Sequence, residues 1–102
     1  MITRLWRGWT SIDDADAYEE FLLLELFPSM RLIPGFEGAD VLRQRGDGEV
    51  AFITLTRFTS LDAIRAFAGD DIETPVLEPR ALELLTRYER RALHFETKRF
   101  EP

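Results

Sequence analysis

The chain has 102 residues, 45% hydrophobic and 31% charged, with a formal net charge of −6. That length suits a single domain, expected over residues 1–102, and the balance excludes a disordered chain; no apolar run reaches the roughly 20 residues that span a bilayer. The negative charge disfavours nucleic acid as a partner, and the absence of cysteine excludes disulfides, thiolate nucleophiles and zinc-thiolate centres.

Residues 2–10 (ITRLWRGWT) mix β-branched and aromatic types with polar ones, the pattern of a strand whose two faces meet different surroundings. The first nine residues do not form an uninterrupted apolar block, so they do not read as a secretory signal, and the expected compartment is the cytoplasm. Ser11 and Asp13 offer capping oxygens, and Ala15, Tyr18, Phe21, Leu22 and Leu26 recur at helical spacing. A first helix is predicted from about Asp13 towards Phe27, kinking or stopping at Pro28, which lacks an N–H. Leu23, Leu24 and Phe27 widen its apolar stripe beyond what one sheet covers, so a pocket or a second subunit is expected beside it.

Pro34-Gly35 turns into a strand over Phe36–Arg45, and Gly46-Asp47-Gly48 closes a hairpin with a third strand over Glu49–Phe58. Ser60 caps a short helix over Leu61–Ala68, ended by Gly69. Pro79 opens another short helix through Leu82 and Leu85, and a fourth strand is predicted over Arg87–Lys98.

The order β-α-β-β-α-β is the ferredoxin-like split βαβ arrangement, an α+β fold. It places a four-stranded antiparallel sheet with strands one and three central, strand four beside strand one, and the helices on one face. The other face, carrying Val, Phe, Leu and Trp, would be a large apolar patch on a monomer, so a homodimer packed sheet to sheet is expected.

The segments MITRLWRGWT, DADAYEEFL, IPGFEGADVLRQ, FTSLDAIRAFAGDDIE and ALHFE together resemble the antibiotic biosynthesis monooxygenase group of dimeric α/β barrels, over nearly the whole chain. The resemblance implies an apolar cleft between helices and sheet. The group includes oxygenases that use neither metal nor flavin, haem-degrading enzymes and members without known activity. Haem-degrading members use an Asn on strand one, a Trp in helix two and a His after it. This chain has no asparagine, and Phe67 and Leu77 stand at the other two positions; leucine cannot bind iron, which argues against haem degradation by that route.

His94 is the only histidine, and therefore the first candidate for a general base near neutral pH. Its bland counterpart is a histidine satisfied within a strand. Trp6 and Trp9, at odd spacing on one strand, point to opposite faces, one towards the cleft and one towards the dimer partner. Tyr18 and Tyr88 offer hydroxyls for a phenolic ligand. The pairs Asp13-Asp14 and Asp70-Asp71 lack the spaced oxygens of a calcium loop. A register with Trp6 opposite His94, Arg4 opposite Glu96 and Leu5 opposite Phe95 makes one patch of Arg4, Trp6, His94 and Glu96, in which the carboxylate raises the basicity of the imidazole.

The function expected from these residues is a cofactor-independent monooxygenase acting on an aromatic or polyketide-like small molecule. His94 serves as base, and Trp6, Arg4, Tyr18, Phe67 and Glu96 hold the substrate, with no metal and no membrane partner. The alternative is a non-catalytic dimer that binds a small apolar molecule or is stress-associated, and a haem-binding or haem-degrading monooxygenase is a minor further reading.

Overall fold

The structure, a computed structural model, describes residues 1–102. Three long strands, β1 (Ile2–Ser11), β2 (Phe36–Arg45) and β3 (Glu49–Phe58), pair antiparallel in the order β2-β3-β1. Two short strands, β4 (Leu85–Tyr88) and β5 (Leu93–Glu96), share the remaining edge of β1. The chain is thus α+β, with a five-stranded antiparallel sheet in the ferredoxin-like arrangement and its helices on one face. No helix is long and apolar enough to cross a membrane.

β3 shows the period of two most plainly: Val50, Phe52, Thr54, Thr56 and Phe58 are buried, while the residues between them are only half-buried. The buried set faces the helices. Burying a side chain of the size of Phe52 or Phe58 stabilises by about 1.5–3 kcal/mol. On β1 the even-numbered residues share that face, because Ile2, Arg4, Trp6, Gly8 and Thr10 lie opposite Phe58, Thr56, Thr54, Phe52 and Val50.

The first helix is a rod of three parts, α1 (Ala15–Phe21), a π-helical stretch (Leu22–Leu26) and α2 (Phe27–Met30). It does not stop at Pro28. An α-helix would leave the ring of Pro28 against the carbonyl of Leu24, whereas the wider π turn, with the Phe27 N–H donating to the Leu22 carbonyl, relieves that crowding and lets the helix reach Met30.

α3 (Leu61–Ala68) forms as its signals predict: the Ser60 hydroxyl accepts the Ala63 N–H at 3.2 Å, and Gly69 ends the helix at a φ of 89°. Gly35 also has positive φ, 92°, and a Cβ there would stand 2.6 Å from Thr59 Oγ1 and 2.8 Å from Ala63 Cβ. Glycine alone therefore lets the turn before β2 pass against the start of α3.

The end of the chain departs from expectation. α4 (Pro79–Leu84) stops one residue early, where Leu85 becomes extended and starts β4. The predicted fourth strand over Arg87–Lys98 is two strands, because residues 89–92 leave the ladder: the Glu89 N–H still reaches the Arg7 carbonyl, but the Ala92 N–H turns to the Glu73 carbonyl at 2.8 Å. The register of β5 also differs from the predicted one. Arg4 lies opposite His94, Ile2 opposite Glu96, Leu5 opposite Leu93 and Thr3 opposite Phe95. The shift is by two residues, so each side chain keeps its face while every pairing changes.

Candidate functional site

Between the helices and the sheet lies a cleft floored by Arg4 and Trp6 of β1 and by Thr54 and Thr56 of β3. The rod roofs it with Tyr18, Phe21, Leu22, Leu26, Phe27 and Met30; Phe67 of α3, with Val76, Glu78 and Ala81, completes the wall. The lining is largely apolar and aromatic, as small-molecule sites are. The volume open to water in the cleft is about 30 Å³, room for about two water molecules, so a ring-sized ligand needs the rod and sheet to separate.

Tyr18 is 1% exposed, its ring edge-on to Phe52 at 4.9 Å. Burial alone pushes its hydroxyl well above the usual phenol range, so it stays protonated and serves as a neutral hydrogen-bonding group. Trp6 donates its indole N–H to the Glu89 carbonyl at 2.8 Å and leans on the ring of Tyr88 at 5.8 Å. Trp9 lies on the opposite face, as its spacing requires. There the Arg7 and Arg87 guanidinium carbons sit 4.8 and 3.7 Å from the centroid of its ring, and Arg87 is held by Glu49 at 2.6 Å.

Arg4 is the most unusual group. It is 4% exposed, and no carboxylate pairs with it: every ion pair in the molecule involves other residues. Nη1 donates to the Ile72 carbonyl and faces His94 Nε2 at 3.0 Å, and Nη2 donates to the Thr74 carbonyl at 2.7 Å. Its guanidinium carbon lies 5.7 Å from the centroid of the Phe67 ring. Burial lowers its pKa to about 10, still far enough above neutrality to keep the charge. The carbonyls that hold it belong to a loop pinned by Arg91, which reaches Asp71 at 3.1 Å and Glu73 at 3.3 Å.

His94 shares the face of Arg4 and Trp6 but does not line the cleft. It lies across Arg4, in a surface groove with Ile72, Glu73 and Glu96. Because an arginine has only donors, Nε2 must be the acceptor and the ring neutral. Desolvation, with the charge of Arg4 second, holds the imidazole below its ordinary pKa despite a smaller upward pull from Glu73; this is the reverse of the rise expected from Glu96. Arg4, Trp6, Tyr18 and Phe67 therefore meet in the cleft, while His94 and Glu96 stand outside it. Thr54, Thr56 and the rod residues complete the site. Neither threonine is among the residues expected from the sequence; the period of two of a strand, counted on from Val50 and Phe52, could have found them, whereas the loop carbonyls of Ile72 and Thr74 have no signal in the sequence.

No protein-family model matches the chain, and no curated protein matches it. Solved structures do. A Nitrosomonas europaea protein named for the antibiotic biosynthesis monooxygenases superposes with a TM-score of 0.65 at 12% identity, over 95% of this chain and 98% of its own. The haem degrader MhuD of Mycobacterium tuberculosis, solved with two haems in its active site, gives 0.62 at 19% identity over 100% of both chains. The cofactor-independent oxygenase SnoaB of Streptomyces nogalater gives 0.59 at 24% identity, over 99% of this chain and 96% of its own. The chain has the fold of the antibiotic biosynthesis monooxygenase domain.

Proposed function

We propose that a chain with this fold, and with this cleft between its helices and sheet, is a cofactor-independent oxygenase acting on an aromatic or polyketide-like small molecule. The observation that carries the reading is the aromatic lining: Trp6, Tyr18, Phe21, Phe27 and Phe67 converge on one apolar space. The likeness in fold to the Streptomyces nogalater oxygenase supports it. A hydroquinone that loses a phenolic proton to solvent becomes an electron-rich anion able to reduce dioxygen directly; one oxygen atom enters the ring and the other leaves as water, which takes back that proton and a second hydrogen of the substrate. The protein's part is to orient the ring and exclude water. Trp6 and Phe67 wall the ring, the Tyr18 hydroxyl orients it, and His94 acts as a positioning residue that sets Arg4.

The acting unit is a homodimer formed sheet to sheet. What supports this is the helix-free face of the sheet, where Leu42, Leu93 and Phe95 are exposed beside the half-buried Leu5, Ile53 and Leu55. Histidine-ligated haem does not fit the residues present, because the sole histidine lies outside the cleft with Nε2 on Arg4.

A second reading, a dimer that binds an aromatic molecule without transforming it, is favoured by the same placement of His94. Oxygen uptake with 1,4-naphthohydroquinone in metal-free buffer separates the two. Uptake above the spontaneous rate, matched by a ring-oxygenated product and lost in Trp6→Ala, is expected of the oxygenase; binding without uptake would leave only the second reading.

A further inference from the structure

We infer that the cleft is selective for anions, and that Arg4 is the residue that recognises the carboxylate or acidic enol of an aromatic ligand. This rests on the reading of the cleft as a ligand site and adds the charge class of what enters it.

A guanidinium withdrawn from water is ordinarily paired, because an isolated buried charge costs several kcal/mol. Arg4 is almost fully buried and has no carboxylate within 4 Å. Its compensation is partial: two loop carbonyls and one imidazole nitrogen occupy three of its five N–H groups. The N–H on Nε and the second N–H on Nη2 have no partner in the protein. Nε, which has no partner, is not sealed off, since no fully enclosed side-chain nitrogen or oxygen lacks a partner; Nη2 is already held by Thr74. Nε therefore keeps some exposure, and the cleft is the space that Arg4 lines.

The surroundings favour the same class of ligand. Phe67 stacks towards the guanidinium and the rest of the wall is apolar, which strengthens any charge-assisted hydrogen bond formed there. The one carboxylate on the cleft, Glu78, is exposed to solvent at its edge, where water screens it. His94, held neutral, adds no positive charge of its own, so recognition falls to a single cation. An aromatic carboxylate or an acidic enol supplies both a flat ring for Trp6 and Phe67 and an oxygen pair for the guanidinium edge.

The experiment compares two probes of nearly equal size, 1-naphthoate and 1-naphthalenemethanol, by calorimetry and by the NMR shifts of the Trp6 indole N–H and the Arg4 Nε–H. Naphthoate is expected to bind at least tenfold tighter and to move both signals. In Arg4→Gln the preference should shrink to within about twofold, and in Arg4→Lys, which keeps the charge but not the fork, it should be intermediate. The wild-type comparison stands even if a variant fails to fold. Equal affinity for both probes with the Trp6 signal moving would overturn the anion inference and leave the cleft reading intact. Failure of both probes to move Trp6 would overturn both, and a preference that survives in Arg4→Gln would remove Arg4 as its source.

Discussion

Arg4 and His94 share a hydrogen bond that only a neutral imidazole can accept, which ties the chemistry of the site to pH. The pKa of His94 is held below its ordinary value of 6.5, first by desolvation and then by Arg4. As pH falls below about 6.5 the unfolded chain takes up this proton before the folded one does, so folding stability must decline across that interval. Chemical denaturation at pH 7.5 and 5.5 should show the loss, and His94→Gln, which still offers an acceptor oxygen to Arg4, should lose less over the same interval. An equal loss in both proteins would place the titration elsewhere. Gly35 makes a second test at this scale. Gly35→Ala forces a side chain into positive φ and against Thr59 and Ala63, and should cost at least about 1 kcal/mol in urea unfolding.

The elements show where a sequence speaks and where it is silent. α3 was legible to the residue because its signals are local: Ser60 caps it, Gly69 ends it, and nothing distant intervenes. Ser60→Ala should therefore cost about 1 kcal/mol by the same unfolding measurement. The rod and the last strand were less legible. Pro28 marked the place of a disturbance, but the sequence did not reveal that a π turn would absorb it. The charge match between Arg4 and Glu96 favours one register for β5 only if both side chains remain near the strand. Arg4 instead spends its donors on Ile72 and Thr74, some 70 residues away in sequence, and that attraction has no local trace. Within the site, Trp6 and Tyr18 were legible through spacing and periodicity, whereas the position of His94 depended on this long-range capture of Arg4.

At the scale of the whole molecule the two faces of the sheet differ in what covers them. One carries the helices. The other presents Leu42, Leu93 and Phe95 around a central strip that includes Ile53 and Leu55 of β3. Light scattering should give a dimer at micromolar concentration, and Ile53→Glu should convert it to a monomer with an unchanged far-UV spectrum, because that side chain is not part of the core beneath the helices; a monomeric wild type would remove the sheet-to-sheet assembly. The break between β4 and β5 carries a further consequence for how the molecule breathes. A continuous edge strand would have to peel from β1 as one cooperative piece. Here the last ten residues are joined to the first strand over Met1–Leu5, apart from the pairing of β4, so they form a small opening unit that can detach while β4 stays zipped. Each detachment withdraws His94 from Arg4 without disturbing the helices. Native-state hydrogen exchange should resolve two separate protection levels along this edge, with the β5 amides exchanging well before those of β4, and the free energy of the lower level should fall under mild acid in step with the protonation of His94.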